Sequence, residues 1–426
     1  MRGRTVIFGI DGVPYELMQD LSDRGVMPHF KKLREQGTFK KLRSSIPDIS
    51  SIAWSSMITG KNAGEHNVYG FIDLIEGTYT MRFPNFKSVM QPAFWQEDDK
   101  KYVILNVPST YPAKEINGLH VSGFVAIDMD KAVYPADYLQ TLNNIDYRID
   151  VDSMLGHEAQ ELFIKDLFYT LEKRKALLDK TWTEFEWDTF MYVVTGSDRL
   201  GHFLWEAYHN AEHKHHQDFL NFFKKVDEQI GDVVSRMHED DKLLMLSDHG
   251  MEQVKTNVFV NAFLREKGFL NADYDLRAGY NNIKEGTKAF CLDPGRIYLN
   301  RKGKYPKGEV LLEEEAEIIT ELIKAFESLE WNAQKVVAKI YKRDDIYHGP
   351  YTKNAPDLVI EGASGFNMRG NIIKKEIFAD EIFTGKHTLE NAFIYVNTKQ
   401  PNIIPENPTI EDVVDIMKKL QHVNEQ

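Results

Sequence analysis

Through the first 250 residues, short apolar runs alternate with longer stretches whose apolar positions recur every three or four residues. This is the pattern of buried parallel strands joined by amphipathic helices. TVIFGI (Thr5–Ile10), YVILNV (Tyr102–Val107), TFMYVVT (Thr189–Thr195) and KLLMLS (Lys242–Ser247) are continuous apolar runs of strand length, as expected where both faces of a sheet are covered. MPHFKKLREQG predicts a helix stopped by Gly37, and further helices are predicted over Glu158–Lys180, His216–Met237 and Thr409–Leu420. After Gly250 the texture changes. Shorter, more polar strands (GRIYLN, KVVAKIY, APDLVIEG) surround one acidic helix, EVLLEEEAEIITELIKAFESL. The expectation is a three-layer α/β/α core with a mostly parallel sheet over residues 1–264 and 371–426. A smaller α+β lobe is expected to be inserted over 265–370.

Ligand chemistry in open α/β sheets gathers at the carboxyl ends of strands. The first strand ends in GIDG and delivers Asp11; the third core run passes into GSDRLGH and delivers Asp198 and His202. KLLMLS is followed by Asp248 and His249, and GKHTLENAFIYV places His387 just before another strand. Singly, each has an ordinary reading. Asp11 could cap a helix or make an Asx turn, Asp198 and His202 could be a solvated i,i+4 pair, and His387 is one of 14 histidines. Together, three aspartates and three histidines at the ends of four strands match the oxygen and nitrogen ligand set of a two-metal site. Such a site needs a nucleophile. Ser50 and Ser51 stand where a loop enters a predicted short helix, Ile52–Ile58. A serine there is ordinarily a helix cap, but the same position offers free amides and a positive dipole end to a phosphate.

Composition narrows the partners. At 426 residues with 42% hydrophobic content, the chain can fill a sizeable core. A formal charge of −13 argues against nucleic acid as a constitutive partner. The single Cys291 excludes an intrachain disulfide framework and a cysteine-rich metal cluster, and suits a reducing compartment. No apolar run has the length of a leader or of a membrane span, which takes ~20 residues. A soluble, cytoplasmic protein without a membrane partner is expected; oligomeric state is not legible.

The order Asp11, Ser50 ahead of TGKNAGEH, then SDRLGH, SDHGM and GKH resembles the alkaline phosphatase superfamily. More narrowly it resembles the type I phosphodiesterase/nucleotide pyrophosphatase group and its phosphohydrolase/phosphomutase relatives, the latter through GRIYLN, IYHGP and APDLVI. The resemblance implies an alkaline-phosphatase-like fold and a two-metal phosphoric ester hydrolase. Ser50, nine positions before Thr59, would be the nucleophile and form a phosphoseryl intermediate, with Ser51 the runner-up. Asp11, Asp248 and His249 would hold one ion beside Ser50; Asp198, His202 and His387 would hold the other. Zinc is the first choice for this mixed set and manganese the second, because imidazole and carboxylate tolerate either.

Two positions depart from the family pattern. Phe71 stands where nucleotide pyrophosphatases carry a phosphate-holding asparagine, and Asn67 replaces an expected glycine. The sulfatase branch is excluded, because SSIAW lacks the proline and arginine of its modification motif. Phe71, Asn62, Lys61 and Arg199 are candidate contacts for a small phosphorylated substrate, and Lys386 also neighbours the ligands. The expected substrate is a small phosphodiester or nucleotide. Phosphomonoesterase or phosphomutase activity is the alternative, and a degenerate phospho-ligand-binding protein the non-enzymatic one. HNAEHKHH (His209–His216) reads as a solvated loop between two helices, and HFLWEAY as core packing.

Overall fold

The computed structural model describes residues 3–423. The chain divides into two compact units. The first holds the residues up to Lys61, Asn85–Glu252, and the residues from Ile382 on; the second holds Asn62–Pro84 and Gln253–Glu381. The second unit thus takes in the expected 265–370 lobe, extends past it over 253–264 and 371–381, which were expected in the core, and adds a stretch directly after the serine-bearing helix that no change in hydrophobic texture marks.

The first unit is built, in chain order, from Thr5–Ile10 (β1), Tyr15–Asp23 (α1), Pro28–Gln36 (α2), Thr38–Leu42 (β2), Ser50–Thr59 (α3), Tyr102–Val107 (β3), Gly118–Ser122 (β4), Val133–Tyr134 (β5), Gln160–Glu184 (α4), Thr189–Val194 (β6), Gly196–His209 (α5), His216–Arg236 (α6), Lys242–Leu246 (β7), Ala392–Val396 (β8) and Val413–Gln421 (α7). Its eight-stranded sheet runs β2-β8-β7-β1-β6-β3-β4-β5. The five strands from β7 to β4 are mutually parallel, and antiparallel pairs close both edges. The parallel strands are the apolar runs of the sequence, as burial on both faces demands. Val6, Phe8, Phe190, Tyr192, Leu243 and Met245 pack on one face with side chains of α1, α2, α4 and α6. On the other face Gly9 lies against both Trp54 of α3 and Val193, and α7 packs against α3 and β7. The result is the three-layer α/β/α arrangement with a mixed, centrally parallel sheet. Each fully buried side chain of the Val, Leu or Phe class contributes roughly 1.5–3 kcal/mol over its exposed state.

Helices α3 and α4 differ at both ends from the sequence reading. The helix expected over Ile52–Ile58 runs from Ser50 to Thr59, with Ile49 at its N-cap and no capping side chain. Ser50 is therefore the first helical residue and not a cap. Every residue of α3 is buried, its serines and Thr59 included, and a helix buried all round gives no amphipathic stripe to mark its ends. The helix predicted from Glu158 starts at Gln160 and continues to Glu184.

The second unit is built on a four-stranded antiparallel sheet in the order Ala289–Leu292, Arg296–Leu299, Leu358–Gly362, Val337–Lys342. Ile318, Leu322 and Phe326 of the helix Glu315–Glu327 share its hydrophobic core. Among the described residues no helix is long and apolar enough to cross a membrane.

Gly9 gives a direct test of packing in the first unit. A Cβ there would lie 2.7 Å from Trp54 Cη2 and 3.0 Å from Val193 Cγ2. Gly9→Ala should cost about 1–3 kcal/mol by overpacking, read as a lower midpoint in denaturant unfolding. An unchanged midpoint would contradict this packing of Trp54 on the sheet.

Candidate active site

The register of the sheet creates the site. Thr5 lies opposite Thr189 on one side and Lys242 on the other, so β1, β6 and β7 finish level. Their polar continuations are then tied together. Asp11 N donates to Val194 O (2.9 Å), Ser197 Oγ to Asp11 O (2.6 Å) and Val13 N to Ser247 Oγ (2.8 Å). Ser247 Oγ in turn donates to His249 O at 2.7 Å. Gly12 sits at φ +69°, and a Cβ there would fall 2.9 Å from Asp198, so the turn needs glycine on both counts.

Six side chains converge at this edge, each fixed by a bond pointing away from the common centre. Trp54 Nε1 donates to Asp11 Oδ2 (2.9 Å), Gly12 N to Asp248 Oδ1 (3.2 Å) and Arg199 Nη1 to Asp198 Oδ2 (3.1 Å). The imidazoles behave alike. Nδ1 of His202, His249 and His387 lies 3.0, 3.0 and 2.8 Å from the carbonyls of Gly385, Gly250 and Asp48. A carbonyl only accepts, so the proton sits on Nδ1 and each Nε2 presents a lone pair inward.

The inward atoms are nearly all acceptors. His202 Nε2 and His387 Nε2 stand 2.9 Å apart, with Asp198 Oδ1 3.3 and 3.2 Å from them. His249 Nε2 lies 3.4 Å from Asp248 Oδ2 and 3.6 Å from Asp11 Oδ1. Asp248 Oδ2 is buried and accepts no hydrogen bond. Facing them is a donor, the Ser50 hydroxyl, 3.0 Å from His249 Nε2 and 3.5 Å from Asp11 Oδ1. Asp11, Asp248 and His249 are close enough together to hold one cation, and so are Asp198, His249 and His387. His202 reaches the second group through His387 and Asp198.

The electrostatics express the same crowding. Burial, with Asp248 and Asp198 adding to it, lifts the Asp11 carboxyl well above the usual range. Burial, then Asp198, pushes Asp248 up to about 7. Asp198 lies well below the usual range: burial opposes this, but His202, His387 and Arg199 outweigh it. Burial and the neighbouring His249 push His387 down to about 3.

Two longer-range contacts were invisible in sequence. Thr384 N donates to His202 O (2.7 Å) and Trp205 N to Thr384 Oγ1 (2.8 Å). Leu204 between them leaves helical geometry (φ −138°, ψ 27°), so Thr384 enters the hydrogen-bond ladder and breaks α5 just after His202. Asp150 holds Arg199 through Nε and Nη2, at 3.1 and 2.9 Å. Trp54 carried a faint signal: it stands four residues after Ser50, on the same helical face.

A family model of type I phosphodiesterase/nucleotide pyrophosphatase matches residues 5–389. The chain belongs to that family. The family is one of phosphoryl hydrolases, and the chain is a phosphohydrolase on that ground. No curated protein sequence matches it significantly. Among solved structures, phosphonoacetate hydrolase from Sinorhizobium meliloti 1021, in complex with phosphonoformate, is similar in fold. Its TM-score is 0.64 at 15% identity, over 98% of this chain and 95% of that one. Murine ectonucleotide pyrophosphatase/phosphodiesterase 5, as an inactive variant with AMP, gives a TM-score of 0.54 at 11% identity, over 99% and 95%. At these identities the likeness is one of fold, and it is the alkaline-phosphatase-like fold.

The departures from the family pattern have local causes. Asn67 caps Ala63–His66 at φ 65°, the left-handed region where asparagine is the usual substitute for glycine. Asn62 caps the same short helix, accepting from Gly64 N and donating to Ile346 O, so its amide already has partners. Lys61 is exposed, and Phe71 is half-buried in the second unit. Arg199 is committed to two carboxylates, and Lys386 donates to Glu252 at 2.9 Å. Ser51 Oγ is buried without a hydrogen-bond partner, so Ser50 is the hydroxyl that faces the cluster. Phe203, Leu204 and Trp205 are core residues. The histidine-rich segment is exposed from His209 to Glu212 and at Lys214, as a solvated loop would be, but its end is not: His215 is 5% exposed and paired with Asp218, and His216 bonds Ala207 O.

The buried carboxylates yield a stability test. Asp248→Asn keeps an acceptor for Gly12 N and removes one of three like charges. In the presence of a chelator this variant should be more stable than the parent, on the order of 1 kcal/mol. Its gain in Tm on adding zinc should be smaller. Calorimetric melts with and without zinc check both, and a destabilised variant in chelator would contradict the charge argument.

Proposed function

We propose that the chain is a two-metal phosphoric ester hydrolase with Ser50 as its nucleophile, acting on small phosphodiesters or nucleotide-type esters. The observation that carries this reading is the convergence of three imidazole lone pairs and three carboxylates around one serine hydroxyl. Two unprotonated nitrogens 2.9 Å apart and a buried carboxylate oxygen with no donor are unfavourable until something positive lies among them. The donor set therefore fits divalent cations. Asp11, Asp248 and His249 would hold one, and Asp198, His202 and His387 the other. Mixed imidazole and carboxylate donors suit zinc first and manganese second. When bound, such ions would lower the pKa of a neighbouring hydroxyl or water and offset negative charge on a transferring phosphoryl group.

The chain's own residues supply the rest. Ser50 Oγ, at the start of α3, is held between His249 and Asp11, with the His249 Nε2 lone pair 3.0 Å and Asp11 Oδ1 3.5 Å away to accept its proton. The same lone pair is the one an ion would take, so ion and hydroxyl proton compete for it. Ser50 Oγ bonds to phosphorus as the P–O bond to the leaving alcohol breaks, and the serine proton ends on that alcohol, leaving a phosphoseryl ester. Water then attacks phosphorus, Ser50 Oγ departs and takes one of the water's protons, and a phosphomonoester or phosphate is released. The free amides at the start of α3 and its positive dipole end favour the phosphoryl charge.

Selection among esters rests on less. Every guanidinium nitrogen of Arg199 is already bonded to a carboxylate, so this arginine is not a fork for a terminal phosphate dianion. This favours diesters over a dedicated monoesterase or a phosphomutase. The zinc- and manganese-loaded protein should hydrolyse bis-p-nitrophenyl phosphate and nucleotide esters in preference to p-nitrophenyl phosphate. A strong preference for the monoester would reverse the choice, and interconversion of a sugar phosphate without phosphate release would indicate a mutase.

Ser50→Ala should lower kcat on the order of a thousandfold or more while binding zinc normally, with Ser51→Ala near the parent. Chelation should abolish activity and zinc should restore it. Turnover lost in Ser51→Ala and kept in Ser50→Ala would move the nucleophile by one residue. A zinc-replete protein inert on every ester would leave a phospho-ligand-binding protein.

A further inference from the structure

Of the six bonds that fix the converging side chains from outside, five are neutral: an indole N–H, a backbone N–H and three backbone carbonyls. The sixth is a guanidinium. Arg199 Nη1 donates to Asp198 Oδ2 at 3.1 Å, while its Nε and Nη2 both donate to Asp150 Oδ2. The Phe124 ring lies against the guanidinium, 4.0 Å from centroid to carbon. Asp150 is itself braced. Its Oδ1 accepts from Thr195 Oγ1 at 3.2 Å and lies 3.8 Å from Arg174 Nη2, and the nearly fully buried Arg174 also donates to Thr195 Oγ1 at 2.6 Å. Arg199 therefore has no freedom to choose its partner.

We propose that Arg199, anchored by Asp150, is a positioning residue for the ion of the Asp198–His202–His387 group. It engages Oδ2 and commits Asp198 to offering Oδ1 alone in a fixed direction. This rests on the two-ion reading above and deepens it. Two effects of opposite sign have to be weighed. A lone cation behind a ligand carboxylate weakens the pull on a metal ion, whereas a fixed orientation strengthens binding. Asp150, bonded to Arg199 through two nitrogens, offsets part of the guanidinium's charge, which reduces the weakening and leaves the fixed orientation intact. The other two carboxylates need no such device. Asp11 is held by an indole on a fully buried helix and Asp248 by the turn at Gly12, both rigid already.

The test uses the full chain with Arg199→Met, Asp150→Asn and the double variant, each first stripped of metal and then titrated with zinc by calorimetry. The parent should take up two ions. Each single variant should keep one ion at parental affinity and bind the other about 10–100-fold more weakly, the range for disturbed partners of metal ligands. The double variant should lose no more than the weaker single, because the pair acts as a unit. Activity at limiting zinc should fall and recover at saturating zinc, with KM unchanged. Near-ultraviolet circular dichroism reports folding, and Asp150→Asn carries the test should Arg199→Met not fold. Two ions bound at parental affinity by folded variants would overturn the proposal. So would a raised KM with unchanged zinc binding, which would make Arg199 a substrate contact, or equal weakening of both ions. A parent that takes up no zinc would sink the two-ion reading and this inference with it.

Discussion

Asp11, Asp198 and Asp248 follow three strands whose ends are level, so their carboxylates meet where none is more than 4% exposed. A single carboxylate without water costs several kcal/mol, and like charges side by side repel one another further. The first unit answers with direction. One oxygen of each carboxylate is satisfied from outside by a donor on a rigid element, and the remaining oxygens turn to a centre that only a cation or a proton can neutralise. Burial and the neighbouring carboxylates raise Asp11 and Asp248, whereas at Asp198 the burial that would raise it is outweighed by His202 and His387, with Arg199 adding to them. Stability and chemistry thus draw on the same atoms, a common arrangement at sites built for reaction.

The glycines of the site serve that crowding. Gly12 lets the first turn pass against Asp198, and a Cβ at Gly385 would lie 2.3 Å from Gly201 O. Glycine at both places allows backbone from distant parts of the chain to approach as closely as the converging ligands require. Larger residues would push apart groups that have to stay within about 4 Å of one another.

Much of this was legible in sequence for a physical reason. A strand buried on both faces is a continuous apolar run, so the polar residue that ends it stands out. Asp11, Asp198 and Asp248 are residues of that kind. Ser50 was harder, because α3 is buried all round and its start carries no amphipathic signature; only its spacing to Thr59-Gly60 marked it. The outer bonds were not legible. Trp54 reaches Asp11 across 43 residues, Arg199 reaches Asp150 across 49, and Thr384 reaches Trp205 across 179. Such pairings come from tertiary packing and leave no local period. The stretch Asn62–Pro84 escaped for the opposite reason: its residues look like a loop of the core, and its membership of the second unit depends on partners nearly 300 positions away, such as Ile346 for Asn62.

The break in α5 makes one short segment responsible for two ligands. Thr384 and Gly385 hold the backbone and ring of His202, and His387 follows two residues later. A local opening of this stretch would release both imidazoles together and leave His249 Nε2, 4.0 Å from Asp198 Oδ1, as the remaining imidazole beside that carboxylate. The second group would then behave as a cooperative unit that is wholly assembled or wholly lost. Its lifetime would be set by the fraying of a four-residue strand, Gly385–Thr388, and not by the slow global unfolding of the sheet beneath it.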